Sequence, residues 1–127
     1  MRAYIDSDVL IWHLRGERLA FEFLRRMRDQ GDHELWIGAM QRAEVVFFMR
    51  VAEKESTELF LTQFKTAPVD QGTVDAAGEL YRRWHPGHGI DVNDALLAAT
   101  AMRTSGVIYC LNRKHYPMPG IVVHRAW

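Results

Sequence analysis

Cysteine is almost absent from this sequence, proline is scarce, no long apolar run occurs, and neither sign of charge is in excess. Among the 127 residues there are one cysteine and four prolines, and 16 Lys and Arg balance 16 Asp and Glu for a formal net charge of zero. A lone thiol forms no intramolecular disulfide. Cys110 lies in the apolar run Val107 to Leu111, which points to a buried and inert side chain. Neutrality excludes a domain that grips nucleic acid by bulk charge, because such domains are strongly basic. It leaves room for a nucleic-acid enzyme whose acidic centre offsets a basic rim. No run approaches the roughly 18 apolar residues that span a bilayer, and Asp6 falls where a signal peptide needs its apolar stretch. A soluble, cytoplasmic protein with no membrane role is expected.

What is present is core-forming material: 48% of the residues are hydrophobic and 11% aromatic. A chain of this size is most simply one domain, residues 1–127, burying roughly two-thirds of its unfolded surface without a disulfide or a structural metal. No repeat, low-complexity segment or linker divides it. Short apolar runs alternate with longer helical patterns, the signature of an α/β domain around a parallel sheet. Ala3 to Asp6 reads as a short buried strand, followed by Ser7 as a possible cap and a helix over Val9 to Arg15. Leu19 to Asp29 reads as a helix, Leu35-Trp36-Ile37 as a strand, and Met40 to about Ala52 as a helix with Val45, Phe48, Met49 and Ala52 on one face. Ser56 or Thr57 could cap a helix running to Phe64, and Thr66 to Val69 reads as an edge strand because of Pro68. Thr73 is expected to cap Val74 to Trp84, with His85-Pro86-Gly87-His88-Gly89 breaking the chain. Asp91 is expected to start a helix to about Thr104. Val107 to Leu111 reads as a buried strand and Ile121-Val122-Val123 as a last one.

Most acidic residues lie in polar stretches, but a few do not. Asp6 ends the first strand, where an open α/β sheet presents its carboxyl edge to a ligand; a helix cap would explain it equally well. Glu44 sits inside Ala43-Glu44-Val45-Val46-Phe47-Phe48. A helix dipole contributes well under roughly 1 kcal/mol there, whereas burying an unpaired carboxylate costs several kcal/mol. Asp94 follows the cap candidate Asp91 by three residues, at the first turn of a helix whose Ala98, Ala99 and Ala101 are small enough to press close to a sheet. Asn112 follows the strand over Val107 to Leu111 and so also reaches the carboxyl edge. These positions lie far apart in the chain, yet in a parallel sheet they converge on one edge. Three gathered carboxylates stay ionised only with a neutralising cation, and oxygen ligands of this kind suit Mg²⁺ or Mn²⁺. That layout belongs to metal-assisted phosphoryl chemistry.

Four segments then carry a resemblance: Tyr4-Ile5-Asp6-Ser7-Asp8-Val9-Leu10-Ile11-Trp12, Arg42-Ala43-Glu44, Asp94-Ala95-Leu96-Leu97-Ala98-Ala99-Thr100-Ala101 and Leu111-Asn112-Arg113-Lys114-His115-Tyr116. In this order and spacing the chain resembles PIN-domain ribonucleases, and among them the VapC toxins of bacterial and archaeal toxin–antitoxin pairs. The resemblance spans nearly the whole chain, and the segment opening at Asp94 is its most specific part. It implies a three-layer α/β/α sandwich with a central parallel sheet, and a Mg²⁺- or Mn²⁺-dependent endoribonuclease held inactive by a cognate VapB-like antitoxin, with a homodimer as the expected assembly. Asp6, Glu44 and Asp94 match the acidic metal-site positions, and Asn112 matches a fourth position that is Asp in many members and Asn in others. Asn lacks the charge that a second ion would use; Asp91 could compensate from the preceding turn. Ser7 falls at a Ser/Thr position where a hydroxyl could hold a carboxylate or water. Arg113 and Lys114, directly after Asn112, are the cations best placed for RNA phosphates. Met40-Gln41 stands where many relatives have a capping Thr or Ser, and Phe47-Phe48 where relatives often have a small residue. Exposed aromatics of this kind mark an interface with a second copy or an antitoxin.

Other functions compete with this one. Asp6-Ser7-Asp8 resembles the Asp-x-Asp nucleophile motif of haloacid-dehalogenase-type phosphatases, although the chain is short for that fold. A non-catalytic PIN-fold binding module is compatible with Asn112. His85 and His88 around Pro-Gly could form a zinc site, but no cysteine is near and a turn explains them.

Overall fold

The computed structural model describes all of residues 1–127. The chain forms β1 (Arg2–Ile5), α1 (Ser7–Leu14), α2 (Arg18–Gln30), β2 (Glu34–Gly38), α3 (Ala39–Val46), α4 (Lys54–Leu61), β3 (Lys65–Ala67), α5 (Gln71–His88), α6 (Val92–Thr104), β4 (Val107–Cys110) and β5 (Val122–Arg125), with short 3-10 turns at Val51–Glu53 and Arg113–His115. The five strands make one sheet in the order β3-β2-β1-β4-β5, and every neighbouring pair is parallel. A three-layer α/β/α sandwich follows from how the strands are buried. In β1, Ala3 and Ile5 point into a core shared with Val9, Leu10, Phe23, Leu24 and Phe60. Tyr4 between them points into a second core with Ala77, Ala95, Leu97, Ala98, Ile108 and Cys110. A strand apolar on both faces must be covered on both, so α1, α2 and α4 pack on one side and α5 and α6 on the other. Ala95, Ala98, Ala99 and Ala101 are all buried, and their small side chains bring α6 close to the sheet.

The strand order reverses between β1 and β4, the point where open parallel sheets leave a crevice at their carboxyl ends. The backbone there is continuous across the reversal, with the Asp6 N–H donating to the Tyr109 carbonyl at 2.9 Å. The edge strands are short, and Pro68 lies just beyond β3, an edge strand.

Several expected boundaries move. Asp6, not Ser7, caps α1, because its carboxylate accepts the Ser7 N–H. Asp70 likewise replaces Thr73 as the cap of α5, accepting both the Thr73 N–H at 2.8 Å and its hydroxyl at 2.9 Å. The helix expected from Met40 to Ala52 ends at Val46. Only Val45 of its supposed apolar face is buried, and Phe47 and Phe48 are 77% and 81% exposed, since the chain turns outward before they can reach a core. The helix expected to end at Phe64 is α4, which stops at Leu61. The His85-to-Gly89 segment does not break the chain at His85. Helix α5 runs through Pro86 to His88 and stops at Gly89 in the left-handed region, φ 65°. A proline in a last turn forfeits little more than one backbone bond, and the Gly89 N–H closes the turn on the His85 carbonyl at 2.9 Å.

Candidate active site

Three elements deliver carboxylates to the reversal point. Asp6 leaves the end of β1, Glu44 comes from α3, and Asp94 comes from the first turn of α6. Each is held by donors from elsewhere in the fold. Asp6 Oδ1 accepts the Ser7 N–H at 2.8 Å, and Oδ2 accepts the Tyr116 hydroxyl at 2.6 Å. Glu44 Oε2 accepts the Ser7 hydroxyl at 3.1 Å, and Oε1 accepts the Asn93 amide at 3.2 Å. Asp94 and Asp91 form a reciprocal capping box: the Asp94 N–H donates to Asp91 Oδ1 at 2.7 Å, and the Asp91 N–H to Asp94 Oδ2 at 3.1 Å. Ser7 therefore links α1 to Glu44, and Asn93 links the start of α6 to the same side chain.

The electrostatics follow from this crowding. Burial is the main cause that pushes Asp6 up to about 7, and the charges of Asp8 and Asp94 add to it against the hydrogen bonds from Tyr116 and Ser7. Asp94 rises to about 6, again through burial first, with the Asp91 charge opposing ionisation and His115 favouring it. Burial also raises Glu44, helped by Asp91 and Asp8 and opposed by Ser7 and Asn93. Such a group of carboxyls ionises fully only when a cation arrives. All of the donors are oxygens, which suits a hard divalent ion. As the side chains stand, no three His, Cys, Asp or Glu groups converge to hold one ion. Asp6 and Glu44 accept bonds from protein donors, so they would offer an ion their remaining lone pairs.

The sequence-predicted residues divide into two groups. Asp6, Ser7, Glu44, Asp91 and Asp94 are brought into one hydrogen-bonded neighbourhood. Asn112 lies at the same edge but is engaged locally: its Oδ1 accepts the Lys114 N–H at 3.1 Å, and its Nδ2 stands 3.3 Å from His115 Nε2. Arg113 and Lys114 are exposed beside it. Sequence alone assigns no site role to Asn93, His115 or Tyr116, and one to Asp8 only in the Asp-x-Asp motif. The Asp8 carboxylate accepts the Val9 N–H at 2.7 Å and the Leu111 N–H at 3.0 Å, tying α1 to the end of β4, and burial raises its carboxyl against those bonds. Asn93 holds Glu44, and His115 Nδ1 stands 3.8 Å from Asp94 Oδ1. Tyr116, 4% exposed, reaches Asp6 from far along the chain. Asp8 lies in the Asp-x-Asp motif and His115 and Tyr116 in the segment opening at Leu111, but the contacts each makes to a distant residue are tertiary pairings that spacing does not show. Away from the site, His85 stacks on Tyr81 with ring centroids 4.5 Å apart and its Nδ1 lies 2.8 Å from the Ile90 carbonyl, so it is used within its own helix end. Cys110 is fully buried, and burial pushes its thiol up to about 12.

Known proteins share both the fold and the sequence. A VapBC complex from Salmonella typhimurium bound to DNA superposes with a TM-score of 0.83 at 15% identity, covering 100% of this chain and 99% of that one. VapBC2 from Rickettsia felis, bound to a promoter DNA fragment, superposes with a TM-score of 0.79 at 18% identity over 98% of both chains. At those identities the likeness speaks for the fold. In sequence, ribonuclease VapC10 of Mycobacterium tuberculosis is 36% identical over 115 residues, 90% of this chain and 85% of the relative. Ribonuclease VapC19 of the same organism is 31% identical over 90% of this chain and 91% of its own length. The model of the PIN domain matches residues 3–114, the span that carries β1 with Asp6, α3 with Glu44 and α6 with Asp94. On that span and those relatives, the chain belongs to the PIN domain family.

Proposed function

We propose that this chain is a divalent-metal-dependent endoribonuclease of the VapC type, neutralised by a VapB-like antitoxin. The observation that carries the proposal is the gathering of Asp6, Glu44 and Asp94 at one sheet edge, all with carboxyls held above their ordinary range by burial. The two mycobacterial relatives are named as ribonucleases, which supports RNA as the substrate class. Asp6, Glu44 and Asp94 would hold Mg²⁺ or Mn²⁺, with Asp91 close by through its bond to Asp94. When bound, the ion supplies a water of lowered pKa and neutralises charge on the scissile phosphate. Ser7 and Asn93 orient Glu44, Asn112 presents the turn that carries Arg113 and Lys114, and those two cations contact the RNA backbone. The proposal places this action in the cytoplasm; no helix is long and apolar enough to cross a membrane.

The antitoxin surface adjoins the site. A cavity of about 550 Å³ is lined by Ile11, Leu14, Val45 and Phe48 and by the charged Arg15, Glu44 and Arg50, so Glu44 belongs to its wall. An antitoxin segment with both apolar and charged side chains, seated there, would lie beside Glu44. The structural neighbours include toxin–antitoxin complexes, which supports a partner of this kind. The proposal includes a homodimer, for which the apolar cavity between α5 and α6, lined by Val74, Tyr81, Val92 and Leu96, offers surface; equilibrium sedimentation of the purified chain measures it.

Cleavage of cellular RNA by the purified protein with added Mn²⁺, beside Asp6→Asn and Asp94→Asn, tests the reaction. Both variants should fold and lose cleavage and growth inhibition. Wild-type rates from either would sink the assignment. Calorimetric absence of Mn²⁺ binding in the wild type would favour the non-catalytic module instead.

A further inference from the structure

The contact between Tyr116 and Asp6 differs from the other bonds in the site. Glu44 is held by Ser7 and Asn93 at 3.1 and 3.2 Å and is itself half-buried. The Tyr116 hydroxyl approaches Asp6 Oδ2 to 2.6 Å, with Tyr116 4% and Asp6 6% exposed. That length is at the short end of the range for O–H···O hydrogen bonds. The other oxygen of Asp6 is held by the Ser7 N–H at the start of α1. The carboxylate is thus clamped between two elements, one at each oxygen, and its plane is set by both.

The hydroxyl is itself well anchored. Tyr116 follows the 3-10 turn Arg113–His115, with its N–H donating to the Arg113 carbonyl at 3.0 Å. Its ring packs in the core on the α5–α6 side together with Met118, which is also 4% exposed. Tyr116 therefore reaches Asp6 from a packed position, and no exposed loop has to order itself first. Outer partners that fix a ligand's orientation are worth roughly 10–100-fold in metal affinity.

We propose, resting on the assignment of Asp6 as a metal ligand above, that Tyr116 is a positioning residue: its hydroxyl fixes the Asp6 carboxylate in the orientation that receives a divalent cation. A purely structural explanation is that a buried phenol needs an acceptor and Asp6 happens to supply one. The two differ in what the hydroxyl controls. If it only satisfies burial, its removal lowers stability and leaves affinity for the ion unchanged.

Mn²⁺ titration calorimetry of the whole chain, with melting measured in chelator, separates them. Tyr116→Phe removes one oxygen and keeps the ring. It should bind Mn²⁺ about 10–100-fold more weakly, while its melting temperature in chelator falls no further than that of Met118→Ala, which disturbs the same packing without touching the hydroxyl. Met118→Ala should keep wild-type affinity. Wild-type affinity in Tyr116→Phe, or an equal loss in Met118→Ala, would overturn the proposal. Asp6→Asn tells the two levels apart. If Asp6→Asn loses binding and Tyr116→Phe does not, only the role of Tyr116 fails. If the wild type binds no Mn²⁺, or Asp6→Asn binds like the wild type, the metal site fails and Tyr116 with it. A second measurement needs no folded variant. In wild-type protein with carbon-labelled tyrosine, Mg²⁺ should shift the Tyr116 ring signals with the dissociation constant found by calorimetry, and ring signals that stay put across the titration overturn the proposal.

Discussion

Asp6 caps a helix and stands in an acidic cluster at once, and the two duties pull its carboxyl in opposite directions. Capping and the Tyr116 hydroxyl favour the charged form, while burial and the charges of Asp8 and Asp94 favour the neutral one and win, taking the group from 3.8 to about 7. The consequence for stability has a definite sign. Between those two values the folded chain holds a proton that the unfolded chain has lost. The stabilising contribution of Asp6 is therefore complete below about pH 4 and drains away as pH rises through about 7. Asp6→Asn is neutral throughout and keeps an acceptor for Ser7 or Tyr116. In chelator, urea unfolding should show the variant gaining on the wild type from about pH 5 to about pH 8, by on the order of 3 kcal/mol at most. Stability profiles that run parallel across that range would show that the carboxyl is not held protonated. On the proposed function the same variant should lose cleavage, so the residue assigned to the chemistry would be one the apo-protein is better folded without.

At the scale of elements, α3 shows how the fold aims a carboxylate. Glu44 faces the site because Gly38 ends β2 and also serves as the N-cap of α3, with no side chain capping the helix. Gln41, 2% exposed, sets its Oε1 where a side chain at position 38 would begin. A Cβ added at Gly38 would run into Gln41 Oε1 and stand 3.2 Å from Leu97 Cδ1 on α6. Gly38→Ala should cost about 1–3 kcal/mol by overpacking, and Gly38→Ala with Gln41→Ala should cost less than the two singles together, by about 0.5–3 kcal/mol of coupling. Urea denaturation of the three variants measures this, and strictly additive costs would rule the clash out. The same element marks where the sequence could be read and where it could not. Strand β1, helix α6 and strand β4 were legible because apolar runs, Asp91 and the alanines declare them within a few residues. The end of α3 was not, since Val46-Phe47-Phe48 carries helical spacing that only the outward turn of the chain overrides. The end of α5 was missed for a related reason: Pro86 forbids a helix interior but not a last turn that Gly89 can close. In the site, Asp6, Glu44 and Asp94 stood out as charges in apolar company. Asn93 and Tyr116 did not, because each acts on a carboxylate whose distance in sequence conceals it.

At the scale of the molecule, a net charge of zero divides into an acidic edge and the surface around it, and the division sets how a cation acts on the whole fold. Any ion that binds the folded chain and not the unfolded one stabilises it, by about 2.7 kcal/mol when present at roughly 100 times its dissociation constant. For a domain of this size that is several degrees of melting temperature. Protons compete for the same oxygens, since Asp6 and Asp94 titrate near about 7 and about 6. At about pH 8 the carboxyls are mostly free of protons and the ion meets little competition; at about pH 5 it must displace them, and every displaced proton weakens apparent binding. Scanning calorimetry with and without a fixed excess of Mg²⁺ should therefore show a melting shift that is large at about pH 8 and nearly gone at about pH 5. The shift should vanish at both in a variant carrying Asp6→Asn and Asp94→Asn together. A stabilisation that ignores pH, or that survives the double substitution, would place the ion elsewhere on the surface and leave the acidic edge without the cation that its raised carboxyls call for.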